Sequence, residues 1–184
     1  MQFETTPIQG VFEIKLSPYA DERGVFSRLF CENELKQIGH TKNIRQVNHS
    51  LNKQKGTVRG MHFQFPPHAE IKMISCIRGK VFDVVIDLRK NSPGFLKWHS
   101  VILTPDDHNM IYIPEGCAHG FQTMEDNSEL IYFHSDFYNK ESEGGIRYDD
   151  PMVSIKWPLT VLNVSEKDKN YPLLNPSFSG IDIS

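Results

Sequence analysis

Residues 59–72, RGMHFQFPPHAEIK, place Arg59, His62, His68, Glu70 and Lys72 within one short stretch. That set suits three kinds of chemistry. Imidazoles and a carboxylate can hold a metal ion, a histidine near a lysine can move protons, or the residues can simply finish a strand and its turn. His62, His68, Glu70 and the distant His119 are the possible metal ligands. The compact His-x-His pair that anchors many barrel metal sites is missing, because Gln64 occupies the second position. A primary amide is a poor ligand for zinc or iron compared with imidazole. Acid–base chemistry needs less: a histidine with a free pKa of about 6.5 takes a proton near neutrality. Taken alone, His62 and Lys72 also read as a histidine at the edge of the core and a lysine snorkelling to water.

These residues have to be held by strands. In RGMHFQ, period-two alternation puts His62 and Gln64 on one face, with Arg59, Met61 and Phe63 on the other. Lys72 shares a face with Ile74 and Cys76, which sets its ammonium against an apolar wall. KVFDVVIDLR alternates as well: Phe82, Val84, Ile86 and Leu88 form one apolar face, and Asp83 and Asp87 fall on the other. IKMISCI precedes it through Arg78-Gly79-Lys80, a turn suited to a hairpin. GVFSRLF, NIRQVNHS, HSVILT, NMIYIPEG, HGFQTM and SELIYFHSDFY are further β-rich runs. Only CENELKQIG predicts a helix, closed by Gly39. Many short strands with few helices predict an all-β sandwich or jelly-roll barrel.

A chain of 184 residues fits one domain, 1–184. At that size roughly 70% of the unfolded surface can be buried without disulfide staples. Cys31, Cys76 and Cys117 are far apart and form no CxxC pair, so neither a zinc ribbon nor a disulfide framework is indicated. No segment approaches a membrane span, and MQFETTPIQG lacks the basic and apolar regions of a signal peptide, which predicts a cytoplasmic protein without a membrane partner. The formal charge is −3 and no run of Lys or Arg occurs, which argues against nucleic acid. An anionic ligand must be held by a few local cations.

RGMHFQ with Lys72 downstream, FDVVIDLR, PEGCAHGF, YFHSDFY and WPL…VSEKD follow one another here in the order and spacing of one family. Over about residues 2–175 the chain resembles the dTDP-4-dehydrorhamnose 3,5-epimerases. The resemblance implies a cupin-type jelly-roll barrel (a double-stranded β-helix), a homodimer, no metal and no organic cofactor. It implies a substrate that is a nucleotide-diphosphate sugar with a ketone at C4. That ketone acidifies C3 and C5, because the carbanion left behind spreads onto the carbonyl oxygen. By the same resemblance His62 is the base, Asp168 its partner, Lys72 the group at the enolate oxygen and Tyr132 the acid. Diphosphate contacts fall on Arg23, Arg59 and Lys167, with His119 near the sugar. Gln46, Val47 and Asn48 meet the nucleotide, Phe26 and Tyr138 stack on the base, and Glu143 is a further contact. Each also has a structural reading, for instance Tyr132 as a packed strand residue and Asp168 as a turn cap. It is the joint occurrence that favours catalysis.

One position departs. The family pattern DxRGxFxE ends in glutamate, whereas DERGVFSR carries Arg28 there. That reversal of charge leaves the nucleotide base open, dTDP or GDP, and with it hexose or heptose and inversion at C3 alone or at both carbons. The alternatives are a metal-dependent cupin oxygenase or isomerase and a sugar-nucleotide-binding barrel without catalysis.

Overall fold

The apolar runs become strands that sort into two facing sheets. The computed structural model describes residues 1–183. In chain order the strands are β1 (Gln2–Thr5), β2 (Phe12–Lys15), β3 (Tyr19–Asp21), β4 (Gly24–Phe26), β5 (Gln46–Asn52), β6 (Val58–Gln64), β7 (Lys72–Arg78), β8 (Val81–Asp87), β9 (Trp98–Leu103), β10 (Asn109–Ile113), β11 (Cys117–Thr123), β12 (Ser128–His134) and β13 (Glu143–Gly145). Two short helices, α1 (Glu32–Leu35) and α2 (Glu166–Lys169), complete the set. One sheet has the order β1-β2-β10-β7-β12-β5 and the other β13-β6-β11-β8-β9, while β3 and β4 pair only with each other. From β5 to β13 the chain changes sheet at every step except between β8 and β9. This is the cupin-type jelly roll.

That alternation overturns the hairpin expected at Arg78-Gly79-Lys80. β7 pairs with β10 and β12, and β8 with β11 and β9, so the turn carries the chain between sheets. Gly79 has φ +73°, and a Cβ there would sit 2.5 Å from Ser128 Oγ, so the crossing is too tight for a side chain. The expected helix forms as α1 plus a 3₁₀ turn over Lys36–Ile38, ended by Gly39 at φ 78°.

The core is layered. Ile74, Cys76, Val85, Ile111, Phe121 and Leu130 come from both sheets and fill the barrel interior. Val84 and Ile86, on the opposite face of β8, and Leu88 just past its end pack with Met61, Ile146 and Val153. Both faces of β8 are therefore covered, and Asp83 and Asp87 are 0% exposed. A buried carboxylate has to be paired, and both are.

β6 does not alternate along its whole length as the sequence predicts. Pairing with β11 runs His119↔His62 and then shifts to Phe121↔Arg59, the signature of a bulge. The bulge centres on Gly60, at φ +121°, and it turns Arg59 onto the same cavity as His62. A Cβ on Gly60 would lie 2.5 Å from Gly120 Cα, backbone against backbone. Gly60→Ala is expected to cost at least about 2 kcal/mol through strain at positive φ and overpacking. For a chain of this length that is a fall in Tm of about 4–8 °C. Thermal unfolding with an unchanged midpoint would show that the bulge relaxes freely.

Candidate active site

The mouth of the barrel opens into a cavity of about 510 Å³. His62 reaches it from β6, in the same sheet as Arg59 and His119. Lys72 and Tyr132 reach it from β7 and β12 of the facing sheet, and Val47 and Asn48 from β5.

His62 is held from below by a residue 106 positions away. Its Nε2 lies 2.7 Å from Asp168 Oδ1. Asp168 stands on α2, whose first turn is capped by Ser165, with Asp168 N–H donating to Ser165 Oγ at 3.0 Å. The serine does the capping, which leaves the aspartate carboxylate free to face β6. Gly60 N–H donates to its other oxygen at 3.2 Å. Burial alone would lift the Asp168 carboxyl; the His62 hydrogen bond and charge and the Gly60 amide outweigh it and hold the group below the usual carboxylate range. An ionised Asp168 accepts from Nε2–H, so Nδ1 is the basic nitrogen of the ring.

A second imidazole–carboxylate pair lies beside the first. His119, cross-strand neighbour of His62, places Nε2 2.8 Å from Asp83 Oδ2, and both side chains are buried. Burial pushes the Asp83 carboxyl up, against the lowering effect of His119. Tyr132 directs its hydroxyl to Ser50 Oγ at 3.2 Å, and burial drives its pKa above the usual phenol value. It is protonated at neutral pH. Lys72 Nζ donates to the His62 carbonyl at 3.4 Å and lies 3.2 Å from Glu70 Oε1.

The remaining expected residues divide into two groups. Gln46, Tyr138, Glu143 and Lys167 do not line the cavity but form a connected chain: Tyr138 N–H donates to Gln46 Oε1, Tyr138 O–H donates to Glu143 at 3.0 Å, and Lys167 pairs with Glu143 at 2.5 Å. Arg23, Phe26 and Arg28 do not join the cavity. Arg23 and Phe26 stand on the β3–β4 hairpin, where Phe26 is 72% exposed and Arg23 pairs with its neighbour Asp21. Arg28 pairs with Glu34 at 2.7 Å.

The four possible metal ligands are each committed elsewhere. His62 meets Asp168, His119 meets Asp83, His68 Nδ1 meets Asp136 at 3.2 Å, and Glu70 meets His134 and Lys72. Among the described residues no group of three or more His, Cys, Asp or Glu converges as a ligand set, and no helix is long and apolar enough to cross a membrane.

The family model described as dTDP-4-dehydrorhamnose 3,5-epimerase matches residues 5–176. The chain belongs to that family. It is accordingly an isomerase-class enzyme, an epimerase. The dTDP-4-dehydrorhamnose 3,5-epimerase of Shigella flexneri is 40% identical over 161 residues, 87% of each chain. The epimerase of Mycobacterium tuberculosis superposes with a TM-score of 0.91 at 36% identity, covering 94% of this chain and 88% of that one. The dTDP-6-deoxy-D-glucose-3,5-epimerase of Legionella pneumophila, solved in complex with dTDP-4-keto-L-rhamnose, gives 0.88 at 36%, covering 94% and 92%.

Within this epimerase-family site, sequence reasoning passed over Ser50, Asp83 as the partner of His119, His134 and Tyr171. His134 was within reach: it lies two residues after Tyr132 on β12, so alternation alone puts both on the cavity face. Tyr171, whose ring meets His62 edge-on at 6.1 Å, has no such signal because it follows α2 in irregular chain.

Proposed function

We propose that the protein inverts C3, C5 or both in a dTDP-linked 4-keto-6-deoxy sugar, through an enolate and without metal or organic cofactor. One observation carries this reading: an imidazole from one sheet, paired with a carboxylate on α2, shares a single cavity with a phenol and an ammonium from the facing sheet. Epimerisation needs that division, because the proton leaves one face of the carbon and returns on the other. His62 Nδ1 takes the C–H proton, and Asp168 stabilises the imidazolium that forms. The electron pair moves onto the C4 oxygen, beside the Lys72 ammonium. Such preorganised stabilisation contributes about 3 kcal/mol or more in a dry site. Tyr132 then protonates the carbon from the opposite side. The phenolate it becomes takes a proton from solvent, the imidazolium gives one up, and no net oxidation occurs.

Arg59, Lys167 and the Gln46–Asn48 segment supply cations and amides for the diphosphate and nucleotide. Arg23 and Phe26 lie on a hairpin that its own barrel leaves exposed, so they suit the cavity of a second copy; the reading therefore includes a homodimer. Sedimentation at micromolar concentration is expected to show a dimer, and a stable monomer would count against this part. Three unpaired cysteines accord with a cytoplasmic setting.

The test is a panel of dTDP- and GDP-linked 4-keto sugars incubated in D2O with EDTA and read by NMR. The expected result is deuterium at C3, and at C5 in a full 3,5-epimerase, on the dTDP-linked 6-deoxyhexose. Label at C3 alone would mark a 3-epimerase, and label only on a GDP-linked heptose would move the substrate class. No label on any sugar, with turnover restored by one added metal, would overturn the mechanism.

A further inference from the structure

To act at the enolate oxygen, the Lys72 ammonium has to be aimed. An ammonium on four flexible carbons is a poor electrostatic catalyst unless it is fixed. Glu70, two residues before it, has a side chain only 8% exposed and takes one donor on each oxygen. Lys72 Nζ lies 3.2 Å from Oε1, and His134 Nδ1 lies 2.8 Å from Oε2. His134 is itself only 12% exposed and stacks on Tyr132, with ring centroids 6.1 Å apart and planes 21° apart. On its far side, Nε2 meets Asn48 Nδ2 at 3.3 Å, and Gln46 Nε2 donates to Asn48 Oδ1 at 3.1 Å.

The polarity of this chain is fixed by chemistry. An amide NH2 can only donate, so His134 Nε2 accepts from Asn48. The imidazole hydrogen then sits on Nδ1 and is donated to Glu70. We propose that Glu70 is a positioning residue for the reaction, clamping the Lys72 ammonium at the cavity, with His134 and Asn48 behind it holding the carboxylate in place. Burial alone would lift the Glu70 carboxyl, but the His134 hydrogen bond and the Lys72 charge outweigh it, so the clamp is ionised. Because Asn48 lines the same cavity, the relay runs from the proposed nucleotide side to the group beside the sugar ketone. The inference rests on Lys72 acting at the enolate.

Glu70→Gln keeps the shape but presents an NH2 to one of two donors, so it cannot hold both. With dTDP-4-keto-6-deoxyglucose, kcat is expected to fall on the order of tenfold to a hundredfold, the scale of an Å-level misplacement, with KM changed less than about twofold. The decisive comparison is Lys72→Gln with and without Glu70→Gln. If Glu70 acts through Lys72, the double variant loses no more than Lys72→Gln alone. Losses that multiply would mean a general structural role and overturn the proposal, as would wild-type kcat in Glu70→Gln. Full turnover by Lys72→Gln alone would overturn instead the enolate role on which the inference rests. A measurement on the unaltered protein stands apart from any failure of a variant to fold: the 15N shifts of His134 are expected to show Nδ1–H, and Nε2–H would overturn the relay.

Discussion

His62→Asn is expected to abolish exchange of the substrate's carbon-bound hydrogens with solvent, at C3 and C5 alike. General acid–base catalysis contributes about 10²–10⁴ in rate, and the loss here should reach the upper end or pass it. His62 is two-thirds shielded by protein, with 34% of its side chain exposed, so a solvent base is not expected to take its place readily. The substitution suits the site. The asparagine amide stands where Nδ1 does and stops short of Asp168, but Gly60 N–H still donates to that carboxylate and a water can take the place of Nε2, so the fold should survive. Thermal unfolding near the wild-type midpoint, with deuterium incorporation lost, is the expected pair of results. Near-normal incorporation would exclude His62 as the base. Asp168→Asn should reduce the rate by a smaller factor, since its amide still orients the ring but no longer stabilises the imidazolium.

Tyr132→Phe separates removal of the proton from its return. The ring stays packed against His119 and His134, and only the hydroxyl bonded to Ser50 is lost. His62 remains, so deuterium should still wash into the substrate, with retention, by return from the imidazolium face. Inverted product should fall by about 10² or more at each carbon that depends on the phenol. The two readouts come from one NMR experiment: label without inversion. Inversion at both centres at the wild-type rate would make another group the acid, and Tyr138, exposed and bonded to Glu143, would be next.

Much of this arrangement is legible in the sequence. Period-two runs located β6 to β12, and alternation correctly put His62 and Gln64 together and Lys72 with Ile74 and Cys76. What misled was the assumption of regularity. The bulge at Gly60 moved Arg59 to the cavity face, and nothing in an alternating pattern announces one extra residue. The Arg78–Lys80 turn looks like any hairpin because turn chemistry is local, whereas sheet membership is decided by which distant strands compete for the edge. β1, β2 and β13 are short, and β13 pairs through glycines, so they carried little periodic signal. The Asp168–His62 contact was available only through family resemblance, since no spacing rule joins residues so far apart in the chain.

That distance has a further consequence. Every strand of both sheets precedes α2 in the chain. During synthesis from the N-terminus, all thirteen strands leave the ribosome before Asp168 does, and the His62 imidazole waits without its carboxylate. The His62–Asp168 pair forms only after α2 has docked beneath β6. A chain lacking the segment from Ser165 onward would lose Asp168 and Lys167 together, and with them Leu174, Phe178 and Ile181 from the apolar cluster that covers β8, so His62 would stand unpaired over an uncovered core.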